Sequence, residues 1–188
     1  MDLGAKGGAI MSIHFCVFDV ETQRTAEDVG GWDRADLMGI SCVVFYDSKE
    51  DKFLEFMEDE VDKLIEHLKK CDLVIGFNNK RFDNKVISGY TDFEFGDLPT
   101  LDILEYVQKK LGHRLSLDVL SKGTLKTEKS ANGLLALKWW KEGKIKEIVE
   151  YCIQDVELTK NLYLFGKENG YLTFTNRRGN VQRIPVEW

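Results

Sequence analysis

Apolar residues crowd both sides of the chain at 13–20 (IHFCVFDV), the pattern of a strand buried on two faces and therefore central in a sheet. Residues 38–46 (MGISCVVFY) predict a second strand and 52–57 (KFLEFM) a third, with the polar run from Asp47 to Asp51 as the turn between them. A meander of this kind implies antiparallel pairing. In 59–70 the residues Val61, Leu64, Ile65 and Leu68 fall on one helical stripe, with lysines in the last turn. A short buried strand follows at 73–77 (LVIGF), then a helix from about 82 to 90. Leu98 to Ile103 predicts a fifth strand running straight into a helix that ends at Gly112. Further helices are expected near 116–122, 132–142 and 144–168. The last segment, YLTFTNRRGNVQRIPVEW, alternates around Arg-Arg-Gly-Asn and predicts a β-hairpin.

At 188 residues the chain is long enough for one well-buried α/β domain and too short for two comfortable ones. The expected organisation is a loose leader over 1–12, an α/β body over 13–170 and a hairpin extension over 171–188 packed on the same domain. Met11 would serve equally well as the start of the fold. Hydrophobic residues at 43% and charged residues at 31% describe an ordinary soluble composition. No apolar run approaches the ~20 residues of a membrane span, and MDLGAKGGAI lacks the charged start and long apolar core of a secretory signal. A cytoplasmic protein without a membrane partner is therefore expected. Cys16, Cys42, Cys71 and Cys152 form no C-x-x-C pair and sit mostly among apolar neighbours, which favours reduced, buried thiols over disulfides or zinc.

The net charge of −6 does not suit a protein that merely coats nucleic acid. It is unevenly spread. Residues 47–60 carry seven acids against two lysines, and residues 122–146 carry seven lysines against two acids. The lysine stretch reads equally as a solvated face and as a track for an anionic substrate.

Three acidic motifs carry the candidate chemistry. Asp19-Val20-Glu21 ends the first apolar strand, where side chains two apart share a face and lie roughly 6–7 Å apart. Two carboxylates so spaced can bind opposite sides of a metal pair whose ions sit ~3.5–4 Å apart. D-x-E recurs at Asp92 and Asp155, but only Asp19 ends an apolar strand, where charge is unexpected unless it caps the strand or holds a ligand. Asn78-Asn79-Lys80-Arg81-Phe82-Asp83 follows a strand and enters a helix. Helix capping accounts for its asparagines but not for Phe82-Asp83. In Tyr151-Cys152-Ile153-Gln154-Asp155 the phenol and the carboxylate are four apart on one helix face, which also fits a core tyrosine beside a surface acid.

In this order, F-D-V-E, N-x-x-x-F-D and Y-x-x-x-D resemble the three exonuclease motifs of the DEDD superfamily of 3′–5′ exonucleases, in its tyrosine-bearing branch. The likeness spans roughly 13–165 and is nearest to predicted exonucleases related to the proofreading domains of family B DNA polymerases. It implies a ribonuclease H-like fold: a mixed five-stranded sheet, a three-stranded antiparallel meander plus parallel strands, flanked by helices. It also implies that Asp19, Glu21, Asp83 and Asp155 bind two metal ions, and that Tyr151 positions or deprotonates the attacking water. Thr22, Asn78 and Phe82 are the candidate substrate contacts, with core packing of the following helix onto the sheet as the other reading of Phe82. The sister branch places a histidine five residues before the last aspartate, where this chain has Glu150. His14, His67 and His113 each precede an aspartate by five, and of these only His113–Asp118 rivals Tyr151–Asp155.

Phosphate-ester hydrolysis can require accelerations up to ~10²¹, of which a general base supplies about 10²–10⁴. Tyr151 alone therefore cannot carry the reaction, and oxygen ligands point to Mg²⁺ or Mn²⁺. The expected activity is metal-dependent removal of nucleotides from the 3′ end of single-stranded DNA or RNA, with a helicase or polymerase partner for delivery. The rival expectations are a structure-selective or ribonuclease H-like endonuclease and an inactive nucleic-acid-binding or helicase-associated module. A nucleotide-binding domain is disfavoured because the chain has no G-x-G-x-x-G or Walker-type loop. Arg177, Arg178 and Arg183 on the hairpin read either as phosphate contacts or as a solvated tip.

Overall fold

The computed structural model describes residues 13–127 and 133–188. The expected leader over 1–12 lies outside the described residues. Strand β1 (Phe15–Thr22) lies at the centre of a five-stranded sheet of order β3-β2-β1-β4-β5, with β2 at Ile40–Asp47, β3 at Lys52–Phe56, β4 at Leu73–Gly76 and β5 at Thr100–Asp102. The β1–β2 and β2–β3 pairs are antiparallel, whereas β1–β4 and β4–β5 are parallel. This is the ribonuclease H-like arrangement expected from the sequence.

Period-two alternation along β1 sends Cys16, Phe18 and Val20 to one core and Phe15 and Val17 to the other. The first core is closed by α2 (Val61–Leu68) and α3 (Asp83–Ile87). The second is closed by α4 (Ile103–Leu111), α5 (Leu117–Thr124), α6 (described over Gly133–Lys141) and α7 (Ile145–Asn169). The early chain also forms α1 (Ala26–Val29) and a 3-10 segment over Trp32–Leu37, neither expected from the pattern. A helix of four residues is too short to show periodicity. What specifies it is local, a capping box in which Thr25 and Asp28 bond each other's backbone, closed by left-handed Gly30.

The hairpin pairs β6 (Tyr171–Thr175) with β7 (Val181–Pro185) and docks on α5 and α7. Thr124 Oγ1 donates to the Thr173 carbonyl at 2.9 Å, and Thr173 Oγ1 donates to the Gly123 carbonyl at 2.7 Å. The approach requires Gly123, because a Cβ there would lie 2.4 Å from the Thr173 carbonyl oxygen. Trp188 closes the other side, its indole donating to the Tyr163 carbonyl at 3.0 Å. Trp139 and Trp140 on α6 are both half-buried. Trp139 meets Tyr151 edge-on at 6.4 Å, and Trp140 lines a cavity with Tyr90, Met57 and Ile145.

Candidate active site

The parallel pair β1–β4 ends at Val17–Ile75, while β1 runs on to Thr22. Beyond that point the two strands part, and a crevice opens at their carboxyl ends, the usual place for a ligand in an α/β sheet. Asp19 and Glu21 continue the β1 face begun by Phe15 and Val17, the face covered by α7. They are half-buried where their neighbours are buried. The register shifts between Glu21 and Thr22, so the strand bends just past the second acid.

From α7, Tyr151, Cys152 and Asp155 enter the same space, with Tyr151 3% and Asp155 5% exposed. The Cys152 thiol donates to the Asp19 carbonyl at 3.4 Å, which pins α7 directly onto β1. Ligand-capable atoms of Asp19, Glu21 and Cys152 lie within 4.8 Å of one another. Burial, reinforced by Cys42 and Asp19, pushes the Cys152 thiol well above its ordinary value. It therefore stands beside the carboxylates as neutral S–H, and the charged donors there are oxygens. That donor set fits a hard divalent cation such as Mg²⁺ or Mn²⁺ and not a thiophilic one.

Asp83, the first residue of α3, is 2% exposed. Its Oδ1 accepts the Val20 backbone N–H at 2.9 Å, at a point on β1 that β4 no longer reaches. Burial first, then the negative charges of Asp102 and Asp155, raise its pKa to about 7. Tyr151 is pushed far above the ordinary phenol range by burial, then by Asp155, Glu21 and Asp19. Its phenol thus remains O–H, hydrogen-bonded to Asp155. The three acidic motifs converge: Asp19, Glu21 and Asp155 act on one phenol, and Asp155 acts on Asp83.

Asn78 adopts a left-handed backbone, φ 72°, at the turn after β4. The turn is held by a residue outside the three motifs, Asp102. Its carboxylate accepts the Asn78 N–H at 2.9 Å, the Lys80 N–H at 3.2 Å and the Glu105 N–H at 3.1 Å, so one acid both shapes the turn and caps α4. The signal was present in Asp102 immediately before a helical stripe. Asn78 Oδ1 accepts from Arg114 at 3.1 Å, and both residues line a cavity of about 440 Å³ with Asp19 and Asp155.

Phe82 is half-buried and meets the 71%-exposed Trp32 edge-on at 5.8 Å, an aromatic pair that the sequence pattern did not reveal. Thr22 is nearly buried, its hydroxyl donating to the Arg24 carbonyl at 3.0 Å. His113, the alternative third-motif residue, is exposed and turns its ring toward Phe174 at 6.5 Å on the hairpin. In the lysine stretch, Lys138 and Lys144 pair with Glu142 and Lys146 with Glu150, which favours the solvated-face reading there.

No helix among the described residues is long and apolar enough to cross a membrane. A family model of the RNase_H superfamily, RNase_H_2, matches residues 16–165. No curated protein matches the sequence. Among solved structures the fold is similar to the family B DNA polymerase from the hyperthermophilic archaeon Pyrobaculum calidifontis, with a TM-score of 0.61 and 12% identity. The match covers 83% of this chain and 25% of that one, so the present chain spans about a quarter of the polymerase's length. At that identity the likeness is one of fold.

Proposed function

The chain belongs to the RNase_H superfamily, and we propose that within it this protein is a metal-dependent 3′–5′ exonuclease acting on single-stranded nucleic acid. The observation that carries the reading is the meeting of Asp19 and Glu21 from β1 with Tyr151 and Asp155 from α7, and with Asp83 behind them, at the mouth of a crevice. Acids so crowded raise one another's proton affinity. A fold that gathers them carries an electrostatic cost that a bound cation would offset.

Asp19, Glu21 and Asp155 would hold the cations on the crevice side, with Asp83 behind. Two such ions, when bound, would supply the positive charge that activates an attacking water and stabilises a leaving 3′ oxygen. The protein's own groups do the positioning. Tyr151, kept protonated by burial and its acidic neighbours, is not a resting base; its O–H is bonded to Asp155 and would be free to orient water or phosphate once a cation takes that carboxylate. Asp83 tethers α3 to β1 through Val20 and so fixes the depth of the crevice. Asn78 and the Phe82–Trp32 pair offer a polar and an aromatic surface to the terminal nucleotide, and Thr22 can only accept a bond from it, since its proton is committed to Arg24.

The polarity and the end requirement rest on the likeness of the three motifs to tyrosine-bearing 3′–5′ exonucleases. A circular single strand offered beside its linear form tests them. The exonuclease reading expects the linear strand to be consumed and the circle to survive. Loss of both at similar rates would establish an endonuclease instead.

A further inference from the structure

The carboxylate crevice does not end at Asp155. Arg114 and Leu115, in the loop before α5, line it and also line a second cavity of about 880 Å³ between that loop and the C-terminal hairpin. The two spaces adjoin at Arg114 and Leu115, which line both. The floor of the second is apolar, built from Leu115, Val119 and Phe174. Its rim carries His113, Arg114, Arg177 and Arg178, and no acidic residue among the described ones lines it. Apolar and aromatic floor with guanidinium rim is the surface that single-stranded nucleic acid uses, bases against the floor and phosphates at the rim.

The hairpin tip holds this rim in place. Asn176 Oδ1 accepts the backbone N–H groups of Arg178 and Asn180 at 2.9 and 3.0 Å, and left-handed Gly179 closes the turn. The strands beneath are fixed to α5 through Gly123, Thr124 and Thr173. Arg114, Arg177 and Arg178 form no ion pair among the described residues, and all three are exposed. Arg183 differs, since its guanidinium lies 4.2 Å over the Tyr171 ring and outside the groove.

We propose that the hairpin is a strand-holding element. The part of a single strand 5′ to the scissile phosphate would run from the carboxylates past Arg114 and over Arg177 and Arg178. The inference rests on the exonuclease reading for the direction of the strand. It assigns the binding surface to the hairpin in preference to the lysine stretch of 122–146.

The test is fluorescence anisotropy of 5′-labelled single strands of about 12 and about 3 nucleotides, as DNA and as RNA, in EDTA so that the strand stays whole. Wild type is compared with Arg177→Glu/Arg178→Glu and with Lys138→Glu/Lys146→Glu, whose lysines already have acidic partners. Losing two phosphate contacts should weaken the long strand about tenfold or more and shrink the slope of log K against log salt by about 1.4. The lysine variant should bind as wild type does, and the short strand should not distinguish the proteins. Unchanged affinity and slope in the arginine variant would overturn the proposal, as would an equal loss in the lysine variant. A wild type that binds the long strand in this manner yet cuts no strand with Mn²⁺ would leave the groove standing and remove the exonuclease reading. A wild type that binds no strand but trims short ones would do the reverse.

Discussion

Asp83 concentrates the tension of the site. It is the most deeply enclosed of the four motif acids, it holds the Val20 amide, and it faces two other carboxylates. Its folded-state pKa of about 7 lies above its ordinary value of 3.8. Below about pH 4 it is protonated in both the folded and the unfolded protein. As pH rises toward 7 the unfolded chain gives up the proton and the folded one keeps it until it too must ionise. The metal-free protein should therefore lose stability across that window, by up to a few kcal/mol. Melting temperatures in EDTA from pH 4 to 8 should fall, and Asp83→Asn, which keeps an acceptor for Val20, should flatten the fall. A flat wild-type profile would show that neither burial nor its acidic neighbours raise the Asp83 pKa. For Tyr151 the expected signature is a loss of rate without a loss of fold. Tyr151→Phe should lower kcat by about 10²-fold, within the range for a positioned group, at a similar KM and with the fold retained, the melting temperature falling only by the few degrees that the lost bond to Asp155 costs. A KM effect alone would move Tyr151 from water positioning to substrate binding.

The elements show why some parts of the site were legible in sequence and others were not. β1, β2 and α7 announce themselves through burial on both faces or a long apolar stripe, and three of the four acids are read directly from their positions on them. Asp19 and Glu21 were legible because charge at the end of an apolar strand is out of place. Asp102 was not, because one carboxylate serving three backbone amides looks in sequence like an ordinary helix cap. Trp32 was hidden in a 3-10 segment that has no helical period. The hairpin was predicted from alternation, but its docking depends on Gly123, and a close approach leaves no periodic trace. Gly123→Ala should improve the intrinsic propensity of α5 by up to ~1 kcal/mol. Its new methyl group would meet the Thr173 carbonyl, and overpacking of that kind costs about 1–3 kcal/mol, so the clash should win. The expected result is a melting temperature lowered by a few degrees and faster hydrogen exchange in β6. A stabilised variant would mean that the hairpin can shift without loss.

For the molecule as a whole, two apolar cores on either side of one sheet hold three distant chain segments to a common crevice. Cations that bind only this folded arrangement must stabilise it. At a hundred times its dissociation constant an ion adds ~2.7 kcal/mol, or about 5–10 °C in a domain of this size. Mn²⁺ or Mg²⁺ should produce such a rise in wild type and little in Asp19→Asn. The same rise in both proteins would place the ion elsewhere. The central claim is tested most directly by incubating 5′-labelled linear single-stranded DNA and RNA with Mn²⁺ and either wild type or Asp155→Asn. The account predicts a ladder that shortens stepwise from the 3′ end with wild type and an intact strand with the variant. Equal degradation by both proteins, or intact strands with both, would contradict it.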